Sequence, residues 1–260
     1  MPTRLLSLFL LGLSLLASAS QAALSDAEVL NMAGMQRMLS QRIAKNYLMI
    51  GADVRTDQAA QQLDESLATF ESNYQALNVY APTPDIRQAL ASSEETWRTY
   101  RELALSSPDR KNAVQMLALS DRLLADSERV VQLVEAHSGN RASQLVNRSG
   151  RQRMLSQRIA TLYLALSWKL PVDGLEANFN QAVAEFDQAL HDLIAAQQNT
   201  AAINKALEQA NAQWRYARAG FRLSADSRYV PTVIATTTET LLRQMNELTS
   251  QYEGVMRSGS

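Results

Sequence analysis

The string QRMLSQRIA is written twice in this chain, at positions 36–44 and 152–160, an offset of 116 residues. The correspondence reaches beyond those nine residues. At the same offset Asn31 pairs with Asn147, Gly34 with Gly150, Tyr47 with Tyr163, Leu48 with Leu164, Phe70 with Phe186 and Leu77 with Leu193. Allowing one inserted residue, Trp97-Arg98 pairs with Trp214-Arg215. A repeat of roughly 115 residues has the size of a domain, not of a solenoid turn. Whatever fold the chain adopts must therefore use one unit twice. The expected units are residues 23–139 and 140–260, divided at Ser138-Gly139-Asn140.

Each unit reads as four helices. Ser25-Asp26-Ala27-Glu28 has the capping-box pattern, in which the Ser hydroxyl accepts from a free backbone N–H and Glu reaches back. The first helix is expected to run to Ile50 and stop at Gly51. Helices are then expected at 56–79, 84–105 and 108–137, the second ended by Pro82 and Pro84 and the fourth opened by Pro108. The second unit repeats the order at 141–169, 174–198, 201–223 and 229–252. Apolar residues recur at three- and four-residue steps, as in Leu123, Val130, Val131 and Val134. The expected fold is all-α: two tandem antiparallel four-helix bundles related by internal duplication.

Residues 1–22 have the three parts of a cleavable secretory signal: Arg4, an apolar run over 5–16, and Ser20-Gln21-Ala22 before the cut. The run is too short for a membrane span, which needs about 20 apolar residues. The mature chain is thus expected in the periplasm, not embedded in the membrane. With no cysteine and only His137 and His191, neither of which has a Glu three residues before it, no metal or cofactor site is expected. A net charge of −1 argues against nucleic-acid binding. No nucleophile–base constellation or phosphate loop appears, so an enzyme is not expected. The paired Trp97 and Trp214 read as core anchors. Glu128, Glu135, Asp187 and Asp192 read as solvated helix faces.

The repeated helix itself is unusual. A helix kept only for core contacts would preserve one apolar stripe, but here polar residues are shared all the way round. Leu39, Ile43 and Met38 are explained by packing; Gln36, Arg37, Ser40, Gln41 and Arg42 are not. No acid lies between Glu28 and Asp53, or between Glu135 and Asp173, while Arg37, Arg42, Lys45, Arg148, Arg151, Arg153 and Arg158 fall there. Buried arginines need compensation. Either carboxylates of neighbouring helices supply it, such as Asp64, Glu65, Glu71 or Asp187, or a bound oxyanion does, matched to the planar guanidinium fork. Gly34 and Gly150 favour the second answer. Each costs about 1 kcal/mol inside a helix and leaves room for a close approach three residues before an arginine. If the two first helices face each other, Arg37 and Arg153 converge. Asn31, Asn147, Gln41, Gln157, Arg42 and Arg158 complete the candidate ligand-binding set.

Asn31-Met32-Ala33-Gly34-Met35-Gln36-Arg37-Met38 resembles the opening helix of the PilJ-type sensor domain, found at the N-terminus of type IV pili methyl-accepting chemotaxis transducers. It is also similar to the periplasmic sensor of nitrate/nitrite-responsive histidine kinases. Asn147-Arg148-Ser149-Gly150-Arg151-Gln152-Arg153-Met154 is the second match, departing at Ser149 where the pattern has Ala. The resemblance implies a four-helix periplasmic sensor whose motif arginines, here Arg37 and Arg153, contact a nitrate-like anion from two subunits. The duplication suggests that one chain supplies both halves. Without membrane spans or a signalling module of its own, such a chain would report to a membrane-bound sensor or transducer. Met32 corresponds to Arg148 and Met35 to Arg151, which predicts an asymmetric site. The alternative expectation is an envelope interaction module that keeps the fold without a ligand.

Overall fold

The computed structural model describes residues 24–139, 141–225 and 229–258. The expected signal segment, 1–22, lies outside them. Among the described residues there are eight helices and no strand: α1 (Asp26–Gly51), α2 (Thr56–Tyr80), α3 (Pro84–Ala104) and α4 (Arg110–Ser138), then α5 (Arg141–Ser167), α6 (Leu175–Ile194), α7 (Ala201–Ala225) and α8 (Pro231–Ser258). The all-α, two-bundle architecture is as the sequence predicts.

Local chemistry sets the ends. Ser25 and Glu28 form the reciprocal capping box, and Thr83 caps α3 with Pro84 in its first turn. Several boundaries differ from expectation: α8 runs from Pro231 to Ser258 where the sequence predicts 229–252. α4 opens after Asp109, not at Pro108, because the Asp109 carboxylate accepts from the Asn112 N–H at 2.7 Å. α6 stops at Ile194, short of 198, and the Asn199 amide donates to the freed Leu193 carbonyl at 2.7 Å. Both loops after the motif helices hold a residue at positive φ at the same repeat position, Asp53 and Lys169.

Within each copy the motif helix packs between the second and fourth helices, with the third lying on the fourth. Phe70 stacks on Trp97 at 4.0 Å, and Phe186 meets Trp214 at 4.1 Å, so the tryptophans anchor the cores. Leu123, Val130, Val131 and Val134 are all buried, as their periodicity requires.

The two bundles meet through their motif helices. α1 and α5 lie side by side in the same direction, so each residue stands near its own duplicate. A side chain on Gly34 would touch the guanidinium groups of both Arg37 and Arg153, and one on Gly51 would collide with Trp168. Each motif helix is thus enclosed by its own bundle on one side and by its twin on the other.

Candidate functional site

This enclosure explains the repeated string residue by residue. Gln36 donates to the Phe70 carbonyl at 3.1 Å and Gln152 to the Phe186 carbonyl at 2.9 Å, tying each motif helix to the second helix of its bundle. Gln41 donates to the Ser120 carbonyl and Gln157 to that of Thr238, tying it to the fourth. Ser40 and Ser156 return their hydroxyls to the Arg37 and Arg153 carbonyls. Arg42 crosses to Glu239 on α8, and Arg158 crosses to Asp121 on α4, so a symmetric pair of ion bridges clamps the copies together.

The structure therefore divides the predicted site residues. Gln41, Gln157, Arg42 and Arg158 are engaged in these ties and do not join the arginine pair. Arg37, Arg153, Gly34, Gly150, Asn31 and Asn147 do come together. The Cβ position of Gly34 lies 3.3 Å from Arg153 Nη2 and 3.4 Å from Arg37 Nη2; that of Gly150 lies 3.1 Å and 3.5 Å from the same two atoms. Helical side chains lean toward the N-terminus, so each arginine reaches down to the opposite asparagine. Arg37 Nη2 donates to Asn147 Oδ1 at 2.7 Å, and Arg153 Nη2 to the Asn31 carbonyl at 3.4 Å.

The two arginines are equally buried, at 0% and 1% exposure, but unequally compensated. Arg37 Nη1 lies 2.8 Å from Glu128 Oε2 on α4. Burial pushes the Glu128 carboxyl up, but Arg37 and Arg151 outweigh it and hold the group below its ordinary range. Glu128 is thus no solvated face, and its role as the Arg37 counterion corrects that expectation. The compensating acids are Glu128, Asp121, Glu239, Glu185 and Asp192, not Asp64, Glu65, Glu71 or Asp187; Asp187 instead pairs with Arg218.

On α8 the position equivalent to Glu128 is Asn246, and Arg153 Nη1 finds only its amide oxygen, at 3.3 Å. Among the described residues no carboxylate lies within ion-pairing distance of Arg153. Burial, together with the neighbouring Arg37 charge, holds its pKa down to about 9, with Glu253 opposing. Glu253 is itself pushed up by burial, against a hydrogen bond from Asn31 and the Arg153 charge. The Nε atoms of both arginines are buried without a partner. The asymmetry expected from the Met35/Arg151 difference is present, for Arg151 also reaches Glu128, at 3.4 Å. Two buried guanidiniums thus converge beside the two glycines, with Glu128 on Arg37 and Glu135 accepting from the Asn147 amide at 2.6 Å.

The sequence reading missed two contributors. Glu128 stands four residues after Leu124 and three before Val131, on the inward side of α4, and that spacing was its signal. Lys45 is 1% exposed and bonds Glu239 at 2.7 Å; its duplicate is Thr161, and nothing local announces its burial.

Among the described residues no helix is long and apolar enough to cross a membrane. Among curated proteins and solved structures no match to the chain was found. The type IV pili methyl-accepting chemotaxis transducer N-terminal domain, PilJ, matches residues 19–121 and again 136–238, so the chain belongs to this family and carries its domain twice.

Proposed function

We propose that the protein is a non-enzymatic periplasmic binding protein for a small oxyanion, nitrate or nitrite foremost, which reports its occupancy to a membrane-bound transducer or sensor. The observation that carries this reading is Arg153: a buried guanidinium, beside a second one, without a carboxylate in ion-pairing distance. An uncompensated buried charge is costly, and a bound monoanion supplies what is missing. A planar oxyanion can accept from two guanidinium edges at once. Gly34 and Gly150 give the two guanidiniums room to meet, which supports their retention despite their cost in helix propensity. Calorimetric titration with nitrate and nitrite tests the proposal. Saturable binding is expected, lost in Arg153→Ala and weakened in Arg37→Ala. Absence of binding at millimolar anion, or binding indifferent to both substitutions, excludes it.

Arg37 supports a second reading. With Glu128 and Asn147 on its two terminal nitrogens it resembles a structural arginine more than a free receptor. If both arginines serve only packing, the protein is an envelope interaction module that keeps the sensor fold. That reading predicts no anion dependence of thermal stability.

A further inference from the structure

A second concentration of positive charge lies away from the arginine pair. α1 and α2 of the first copy and α8 of the second enclose a cleft of about 180 Å³, lined by Lys45, Arg55, Gln58, Glu239, Thr240 and Arg243 among others. Lys45 forms its floor, with Nζ 2.7 Å from Glu239 Oε2; Arg42 Nη2 takes the other carboxylate oxygen at 2.5 Å. Arg55 and Arg243 stand exposed at the rim. Arg55 donates to the Thr236 hydroxyl at 2.8 Å, and Arg243 to that of Thr240 at 3.1 Å. Glu239 is thus already matched twice, and the two rim arginines have hydroxyl partners rather than an acid.

The duplication supplies an internal control. In the other copy Thr161 stands for Lys45, Pro171 for Arg55 and Ala125 for Arg243, while Asp121 stands for Glu239 and Arg158 for Arg42. The cleft on that seam includes Asp121, Ala125 and Arg158 but not Thr161 or Pro171, and its charged lining is Asp121, Glu128 and Glu185 against Arg151 and Arg158, close to balanced. One side has three cations that the other lacks, while the acid is present on both. A structural ion network does not need that excess, since Arg42 alone could hold Glu239 as Arg158 holds Asp121. Arg55 also sits at φ 49°, ψ 49°, a left-handed conformation that L side chains resist; α6 is entered through Gly174 at φ 73°. A strained backbone that presents an arginine to a cleft points to use of that side chain. Burial lowers the Lys45 amine to about 8, in keeping with a charge that lacks full compensation.

We infer that this cleft is a second anion site, shaped for a compact doubly charged oxyanion such as phosphate or a short dicarboxylate, with Lys45 at its floor and Arg55 and Arg243 closing over it. Three cations, one on α1, one just before α2 and one on α8, suit a dianion, whereas the arginine pair, with Glu128 present, suits a monoanion. The site spans both copies, so its occupancy braces α8 against α1 and α2.

The test is calorimetric titration of the full chain with inorganic phosphate and, separately, with malonate. Binding of at least one with one-to-one stoichiometry is expected. It should survive Arg153→Ala and fall at least about tenfold in Arg55→Gly/Arg243→Ala. Both rim changes are on the surface, one relieving the left-handed strain and the other installing the duplicate's residue, so the fold is retained. Lys45→Thr, also the duplicate's residue, should abolish binding. Failure of both anions to bind saturably overturns the inference. So does binding lost in Arg153→Ala, which would place the anion at the arginine pair, or binding that the rim double variant leaves unchanged.

Discussion

Asn246→Asp is the substitution that tests the arginine pair most directly. It leaves the shape of residue 246 unchanged and places a carboxylate where the first copy has Glu128. Burial and the neighbouring Arg37 charge hold the Arg153 pKa down to about 9 from the ordinary 12.5. At about 1.4 kcal/mol per pH unit, that corresponds to roughly 5 kcal/mol of disfavoured charge. A carboxylate against Arg153 Nη1, now 3.3 Å from an amide oxygen, recovers part of it. Hydrogen bonds to charged groups contribute about 1.5–3 kcal/mol. Residue 246 is only half-buried, which limits the desolvation cost of the new charge. A chain of this size shifts its Tm by about 2–4 °C per kcal/mol, so a rise of about 3–12 °C is expected. The second half of the prediction is functional. Nitrate at a hundred times its Kd should stabilise the natural chain by about 2.7 kcal/mol. In Asn246→Asp the internal carboxylate competes for the same guanidinium, and that increment should largely vanish. Thermal melts with and without nitrate, under matched ionic strength, read both effects. A lower Tm in the variant, or an undiminished nitrate increment, would refute the view that Arg153 is the uncompensated half of the site.

Gly150→Ala places a methyl carbon 3.1 Å from Arg153 Nη2, tight enough to displace that group, while improving helix propensity by about 1 kcal/mol; melts should show unchanged or raised stability and calorimetry a loss of nitrate binding. Gly51→Ala should lower stability, because its Cβ would lie 2.4 Å from the Trp168 ring; overpacking of this kind costs about 1–3 kcal/mol, read as a lower denaturant midpoint. Lys45 gives an alkaline signature. Its pKa is lowered from 10.5 to about 8 by burial, with Glu239 opposing and Arg42 adding to the effect, so the unfolded chain binds more protons between those values and stability should rise with pH across that window. The penalty, roughly 3 kcal/mol, is full below pH 8 and relieved above 10.5; urea midpoints of the natural chain relative to Lys45→Met, compared across that range, should show a gain that is absent if the amine is compensated.

Much of this was legible in the residues. The duplication required a pair of similar bundles, and the shared polar residues around the motif helix required neighbours on several sides. Both follow from helical periodicity, which is local. The meeting of Arg37 with Arg153 was legible because a repeat offers a pseudo-two-fold and two interior glycines marked its contact. What stayed hidden was the pairing of charges across elements. Arg42 with Glu239 and Arg158 with Asp121 are contacts between copies, set by how two bundles dock, and no local pattern encodes them. The Glu128/Asn246 difference was hidden for a simpler reason. The motif helices align at an offset of 116, but the fourth helices align at 118: Ser120 with Thr238 and Asp121 with Glu239 make the same contacts. A comparison held at the first offset sets Glu128 against Gln244 and misses the loss of the carboxylate.

That loss is possible only because the two halves share one chain. In a site formed by two identical subunits, any change beside one arginine is imposed on the other, and a carboxylate at the Glu128 position would neutralise both. Here duplication has released the symmetry. Arg37 keeps an internal counterion, while Arg153 faces the Asn246 amide. On the proposed function, one half is thereby positioned and the other receives the anion. The same release of symmetry placed Lys45, Arg55 and Arg243 on one seam alone. Because both halves are tethered, the site also needs no second subunit, so its affinity should not depend on protein concentration as that of a dimer-borne site does. On the proposed function, duplication turns a two-subunit receptor into an asymmetric one while the QRMLSQRIA string at its centre stays the same in both copies.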